Sequence, residues 1–192
     1  MNVAVRKPWT QEAFFAWAVT QEARYEFDGF QPEAMTGGNI GHGRLRRSLH
    51  RALDARLRNG PCELLGPDAG VETSNRAVRY PDALVTCSKP ENGERLVPGV
   101  IAVFEVVSPT SARIDRIVKV REYAAVPSIR RYVILESAIV GMTVFERDNA
   151  HDQWRAMTLT GDDTLRMPEI GIEIPVAELY DGIVLSDRED SG

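Results

Sequence analysis

Two short runs constrain this chain more than any other part of it. They are Arg79-Tyr80-Pro81-Asp82-Ala83-Leu84-Val85 and Val100-Ile101-Ala102-Val103-Phe104-Glu105-Val106-Val107-Ser108-Pro109. Both are apolar and β-branched, as buried strands are, yet each carries one acid. A carboxylate buried without a partner is prohibitively costly, so each acid needs one. Two such acids on neighbouring strands could share a divalent cation. Glu105 could instead pair with Lys119 or Arg79 in an ion network, and Asp82 could be a plain strand-end acid after Pro81. The residues alone leave these readings open.

With 192 residues the chain is long enough for one domain with a real core, expected over residues 9–185. Residues 1–8 read as a loose tail and 186–192 as a polar, disordered one. A formal charge of −5 removes any whole-molecule attraction to nucleic acid, though a local basic face can act alone. Cys62 and Cys87 show neither metal-ligand spacing nor a disulfide framework, so a reducing cytoplasm is expected. The first residues lack the apolar core of a signal peptide, and no stretch nears the roughly 18 apolar residues of a membrane span, so no membrane partner is expected.

In chain order, Thr10 should cap a helix to Glu22 with Phe14, Trp17, Ala18 and Gln21 on one face. Tyr25-Glu26-Phe27-Asp28-Gly29 reads as a half-buried strand and turn, with Phe30 to Met35 returning at an edge because of Pro32. A glycine-rich loop carrying His42 feeds a helix from Arg44 to Asn59, ended by Gly60-Pro61. Strands are predicted at 62–65, 70–73, 78–86 and 100–107. A helix at 112–125, capped by Ser108 to Ser111, should turn Ile114, Ile117, Val118 and Ala125 to the core. Asp115, Lys119 and Tyr123 share a separate face of it. Strands at 131–135, 142–146, 154–159, 164–167 and 170–174 complete the pattern.

The acids and the following helix form a β–β–α–β unit. Mg²⁺ takes one or two carboxylates, waters and phosphate oxygens. Asp82 and Glu105 supply the carboxylates, the Val106 carbonyl is a natural third oxygen, and Lys119 offers a positive charge to an attacking water or to phosphorus. The 44–59 helix carries Arg44, Arg46, Arg47, Arg51, Arg56 and Arg58 against Asp54 alone. Such a face is either merely solvated or a phosphate-backbone contact, with Arg44, Arg47 and Arg51, and with His42 and Tyr123, as the residues for it.

Pro81-Asp82 followed by Glu105-Val106-Val107 resembles the PD-(D/E)XK nuclease superfamily. More narrowly, the chain resembles the Uma-type putative restriction endonucleases from about Trp9 to Leu185. Tyr25-Glu26-Phe27-Asp28-Gly29, the loop histidine, Tyr80-Pro81-Asp82, Glu105-Val106-Val107-Ser108-Pro109, Lys119 with Tyr123, and Arg131-Tyr132-Val133-Ile134-Leu135 carry the likeness. The resemblance implies an α/β restriction-endonuclease-like fold, a mixed central sheet flanked by helices with extra β hairpins in the C-terminal part. It makes Asp82 and Glu105 ligands of Mg²⁺, with Mn²⁺ able to substitute, and Glu26 an additional acid. DNA is the implied substrate and a homodimer the implied assembly; an inactive DNA-binding or protein-interaction module of the same fold is the alternative. Val107 stands where the superfamily places its lysine, and Lys119 on the next helix takes that part. Phe30 replaces an acid after the first hairpin's glycine, and Glu136-Ser137 stands where an aspartate is more usual.

Overall fold

The structure, a computed structural model, describes residues 9–107 and 112–185, with the backbone alone for 112–115. Both expected tails and the Ser108 to Ser111 cap lie outside the described residues. The elements are α1 (Gln11–Ala18), β1 (Tyr25–Phe27), β2 (Pro32–Ala34), α2 (Ile40–Leu57), β3 (Glu63–Leu65), β4 (Val71–Glu72), β5 (Val78–Arg79) and β6 (Ala83–Thr86). They continue with β7 (Val100–Val107), α3 (Ala112–Ala124), β8 (Arg131–Glu136), β9 (Gly141–Glu146), β10 (Arg155–Thr160), β11 (Thr164–Met167), β12 (Ile172–Pro175) and α4 (Val176–Tyr180).

A six-stranded sheet in the order β10-β9-β8-β7-β6-β3 forms the centre of this mixed α/β fold. Its one parallel pair is β7 with β8, joined by α3 as the crossover. A four-stranded sheet, β2-β1-β5-β4, and the hairpin β11-β12 stand beside it. Period-2 alternation along β7 feeds two cores. Ala102, Phe104 and Val106 pack with Leu45, Leu49 and Leu53 of α2, while Val103 and Val107 pack with Tyr123, Tyr132 and Ile134. Glu105 has the parity of Val103 and Val107, so it points to the α3 side.

Local chemistry sets where several elements depart from expectation. Thr10 caps α1 as predicted, accepting from the Ala13 amide at 3.1 Å. The helix stops at Ala18 because Val19 and Thr20 are poor helix formers and the Thr20 hydroxyl takes the Trp17 carbonyl. Asn39 caps α2 by accepting from the His42 amide at 2.9 Å, which starts the helix at Ile40 despite Gly41 and Gly43. His42 therefore lies in a helical first turn, not in a loop. The strand expected over 78–86 is two strands in different sheets, because Pro81 has no amide for a ladder and the chain crosses between sheets at Tyr80-Pro81-Asp82.

Two further corrections concern α3 and the cysteines. Ile117 and Val118 are exposed, and it is Lys119, Glu122 and Tyr123 that face inward. Polar contacts replace an apolar stripe because this face covers the carboxylates of β1 and β7 rather than bare sheet. Cys62 and Cys87, expected to be unpaired, form a disulfide. The register Glu63↔Thr86 between β3 and β6 puts them opposite each other one step further on. Helix α4, five residues long, is too short to leave a periodic signal and was not anticipated. Among the described residues no helix is long and apolar enough to cross a membrane.

Candidate active site

Strands β6 and β7 run antiparallel with Ala83 opposite Phe104, so the next step places Asp82 opposite Glu105. Asp82 sits where the chain leaves the small sheet for the central one. Its Oδ2 accepts from the Val106 amide at 2.8 Å, and its Oδ1 lies 3.1 Å from His42 Nε2 and 3.6 Å from Arg46 Nη1. His50 Nε2 is 2.7 Å from the Asp82 carbonyl, which can only accept, so that nitrogen carries the proton. His42, Arg46 and His50 occupy positions i, i+4 and i+8, and thus one face of α2 turned to Asp82.

Glu105 Oε1 accepts from Lys119 Nζ at 3.0 Å and from the Tyr123 hydroxyl at 3.2 Å. Lys119 also donates to Glu26 Oε1 at 3.3 Å, so its ammonium stands between the two carboxylates. Glu26 reaches the site from the middle of β1, and its Oε1 accepts from the Tyr80 amide at 3.1 Å. Glu26, Asp82, Glu105 and Lys119 line a cleft of about 780 Å³ whose walls also include Arg24, Glu33, the 34–39 segment, Arg46 and Pro67. One lip is shaped by Gly38, where an added Cβ would lie 2.4 Å from the His42 ring.

The acids differ in environment. Burial pushes Glu105 up to about 7, because the Lys119 charge that opposes this is itself offset by Asp82 and Glu26. Burial also acts on Asp82, but the His42 hydrogen bond and charge, the Val106 amide and Arg46 outweigh it and hold Asp82 below its usual value. The Tyr123 hydroxyl, buried and facing Glu105, is raised well above a normal phenol. Tyr123, offered among the residues for phosphate contact, is fully buried, packs at a tilt against Tyr132 with ring centroids 4.9 Å apart, and supports Glu105 instead.

Sequence reasoning named Asp82, Glu105, Lys119 and Glu26, and the structure brings all four together at the cleft. Val106 lines it too, its amide rather than its carbonyl making the contact with Asp82. Arg44, Arg47 and Arg51 are not brought to the cleft: they are exposed on the outer face of α2. Arg46 lines it in their place. Arg79, offered as a partner for Glu105, pairs instead with Glu26, Glu33 and Glu122; Glu33, Glu122 and His50 were missed, and of these only His50, through the 42/46/50 spacing, left a readable signal.

The sequence profile of the Uma2 family, described as "Putative restriction endonuclease", matches residues 11–177. This chain belongs to that family. Uma2 membership agrees with a second likeness, to the uncharacterized protein slr1290 of Synechocystis sp. (strain ATCC 27184 / PCC 6803 / Kazusa). The two are 26% identical over 174 residues, covering 90% of this chain and 91% of the relative. A second Synechocystis protein, the uncharacterized sll1609, is 22% identical over 167 residues, covering 85% and 94%. In three dimensions the Uma2 chain resembles the crystal structure of a putative nuclease belonging to DUF820 from Anabaena variabilis ATCC 29413. The TM-score is 0.69 at 10% identity, over 85% of this chain and 93% of that one, which shows a shared fold.

Among the described residues no group of three or more His, Cys, Asp or Glu side chains closes on a metal position. A dication that keeps most of its water needs only one or two carboxylates, so this does not weigh against Mg²⁺. The charge balance favours a cation. The buried charges at the site and its wall are Glu26, Asp82, Glu105 and Glu122 against Arg79 and Lys119. With Glu105 ionised that excess is two negative charges, and the next cation at the carboxylates is the half-exposed Arg46, 3.6 Å from Asp82. Asp82 and Glu105 therefore fit a divalent ion.

Proposed function

We propose that this Uma2 protein is a Mg²⁺-dependent endonuclease that hydrolyses DNA phosphodiester bonds, with Mn²⁺ able to substitute. The observation that carries this reading is the meeting of Asp82 and Glu105 across one strand pair, with Lys119 at the same carboxylate, in an open cleft. Asp82 and Glu105 would hold the ion, with the Val106 carbonyl as a further oxygen. When bound, the ion supplies a Lewis acid at the phosphate and lowers the pKa of a nearby water.

The chain's own residues do the rest. Lys119 provides a point charge that orients the attacking water and stabilises negative charge developing on the phosphate oxygens. Glu26 acts here as the seat of that ammonium, holding it at 3.3 Å. Arg46, 40% exposed at the cleft, and His42 can contact the phosphates flanking the scissile one. The burial of Asp82 and Glu105 keeps the reacting centre in a low-dielectric setting where such charges act strongly. Homodimerisation, by analogy with other nucleases of this architecture, belongs to the same proposal and is read by light scattering.

The rival reading is a metal-free ion network, and the Lys119–Glu105 contact is the observation that favours it. One experiment separates the two: cleavage of a mixed DNA substrate set with Mg²⁺ or Mn²⁺, alongside thermal melts. Nuclease action predicts cleavage lost in Asp82→Ala and Lys119→Ala, and metal stabilisation lost in Asp82→Ala and Glu105→Ala. An ion network predicts no metal effect, and strong destabilisation of the metal-free protein by each substitution.

A further inference from the structure

Arg79 lies behind the cleft rather than in it. Its guanidinium, 4% exposed, donates from Nε and Nη2 to Glu122 at 2.6 and 2.7 Å, and from Nη1 to Glu26 Oε2 at 3.1 Å and Glu33 Oε2 at 3.2 Å. One planar fork on β5 thus joins carboxylates from β1, β2 and α3. Glu26, held from behind, presents its other oxygen to Lys119 at 3.3 Å. Glu122 precedes Tyr123 and follows Lys119 by three residues, so all three share the inward face of α3.

Remove the Arg79 charge and the arithmetic around Lys119 changes. Glu26, Glu33 and Glu122 would then lose the cation they share, and Glu26 would keep only the Lys119 ammonium. Lys119 would be drawn towards Glu26 and towards Glu122 on its own helix, and away from Glu105. We propose that Arg79 is the positioning residue of this site: by satisfying Glu122 and the far side of Glu26, it leaves the Lys119 ammonium to Glu105. The role assigned to Lys119 rests on the nuclease reading; the hold of Arg79 on Lys119 does not.

Lys119 can be watched directly, because the chain contains only Lys7, Lys89 and Lys119. In lysine-¹³Cε-labelled full-length protein, an ammonium held on both sides keeps its two Hε protons inequivalent, and a released one averages them. The variants are Arg79→Lys, which keeps charge but loses the fork, and Arg79→Met/Glu122→Met, which replaces the buried pair with apolar groups and guards against unfolding. Both are expected to move the Lys119 cross-peak and merge its Hε pair. Where the wild type cleaves DNA, kcat should fall on the order of 100-fold with KM for DNA little changed. A Lys119 cross-peak identical to wild type in either folded variant overturns the proposal. A wild type that cleaves nothing, with the Lys119 signal still governed by Arg79, defeats the nuclease reading alone.

Discussion

Glu105 makes the sharpest solution prediction, because its carboxyl is pushed from 4.5 up to about 7 by burial. A raised folded-state pKa means the folded protein holds a proton that the unfolded chain has lost. The resulting stabilisation is complete below about 4.5 and disappears as pH rises through about 7. At 1.36 kcal/mol per pKa unit, the metal-free protein should lose about 3 kcal/mol between pH 5 and pH 8 from this group. For a chain of this length that corresponds to roughly 10 °C in Tm.

Glu105→Gln supplies the reference. It keeps the shape of the side chain but cannot ionise, so the slope from this position vanishes. Ionisable groups elsewhere in the chain act in both proteins and cancel in the difference. Melts in EDTA at pH 5, 6, 7 and 8 should show the variant close to wild type at pH 5 and more stable at pH 8. Added Mg²⁺ should stabilise wild type more at pH 8 than at pH 5, since an ion at Glu105 competes with the proton, and should not stabilise the variant in that way. Parallel wild-type and variant curves across the range would refute the reasoning, because they would mean Glu105 is ionised throughout.

Three other perturbations test separate parts of the structure. Gly38→Ala puts a Cβ 2.4 Å from the His42 ring, so the ring should leave Asp82; a changed His42 imidazole resonance with a near-unchanged Tm is the expected reading. Reducing the Cys62–Cys87 disulfide, which closes a separation of 25 residues, should lower stability by on the order of 3 kcal/mol, read by denaturant melts with and without dithiothreitol. In salt titrations of DNA binding, Arg46→Ala should lower the log–log slope by about 0.9, one phosphate's worth, whereas Arg51→Ala on the outer face should leave it unchanged.

What could be read ahead of the structure follows from where the signal was local. Asp82 and Glu105 stood out because each interrupts an apolar run, and the strand pairing behind them needed only adjacency. The edge position of β2 followed from Pro32, and the start of α1 from Thr10. Glu26 came only through family resemblance, since alternation with Tyr25 and Phe27 made it look solvent-facing; its burial depends on Arg79 and Lys119, distant in sequence. The inward face of α3 was misassigned for the same reason. Periodicity finds apolar stripes, and this helix turns Lys119, Glu122 and Tyr123 inward over a charged pit. Nor could the cysteine pairing be read, because it depends on the register of β3 on β6.

The placement of the lysine explains why these long-range contacts matter. At position 107 a lysine would extend from the same strand as Glu105, two residues on, with its backbone held by the β7–β8 ladder. Val107 occupies that position instead, 4% exposed against Val103, Tyr132 and Ile134, and a charge there would be buried in apolar surroundings. Lys119 approaches from a helix seated by Tyr123 in the apolar core and by the ion pair of Arg79 with Glu122. Strand-borne positioning is set by neighbouring backbone, whereas helix-borne positioning must be supplied by side chains. Substitutions at Arg79 or Glu122 should therefore reach Glu105 through Lys119, although neither residue lines the cleft.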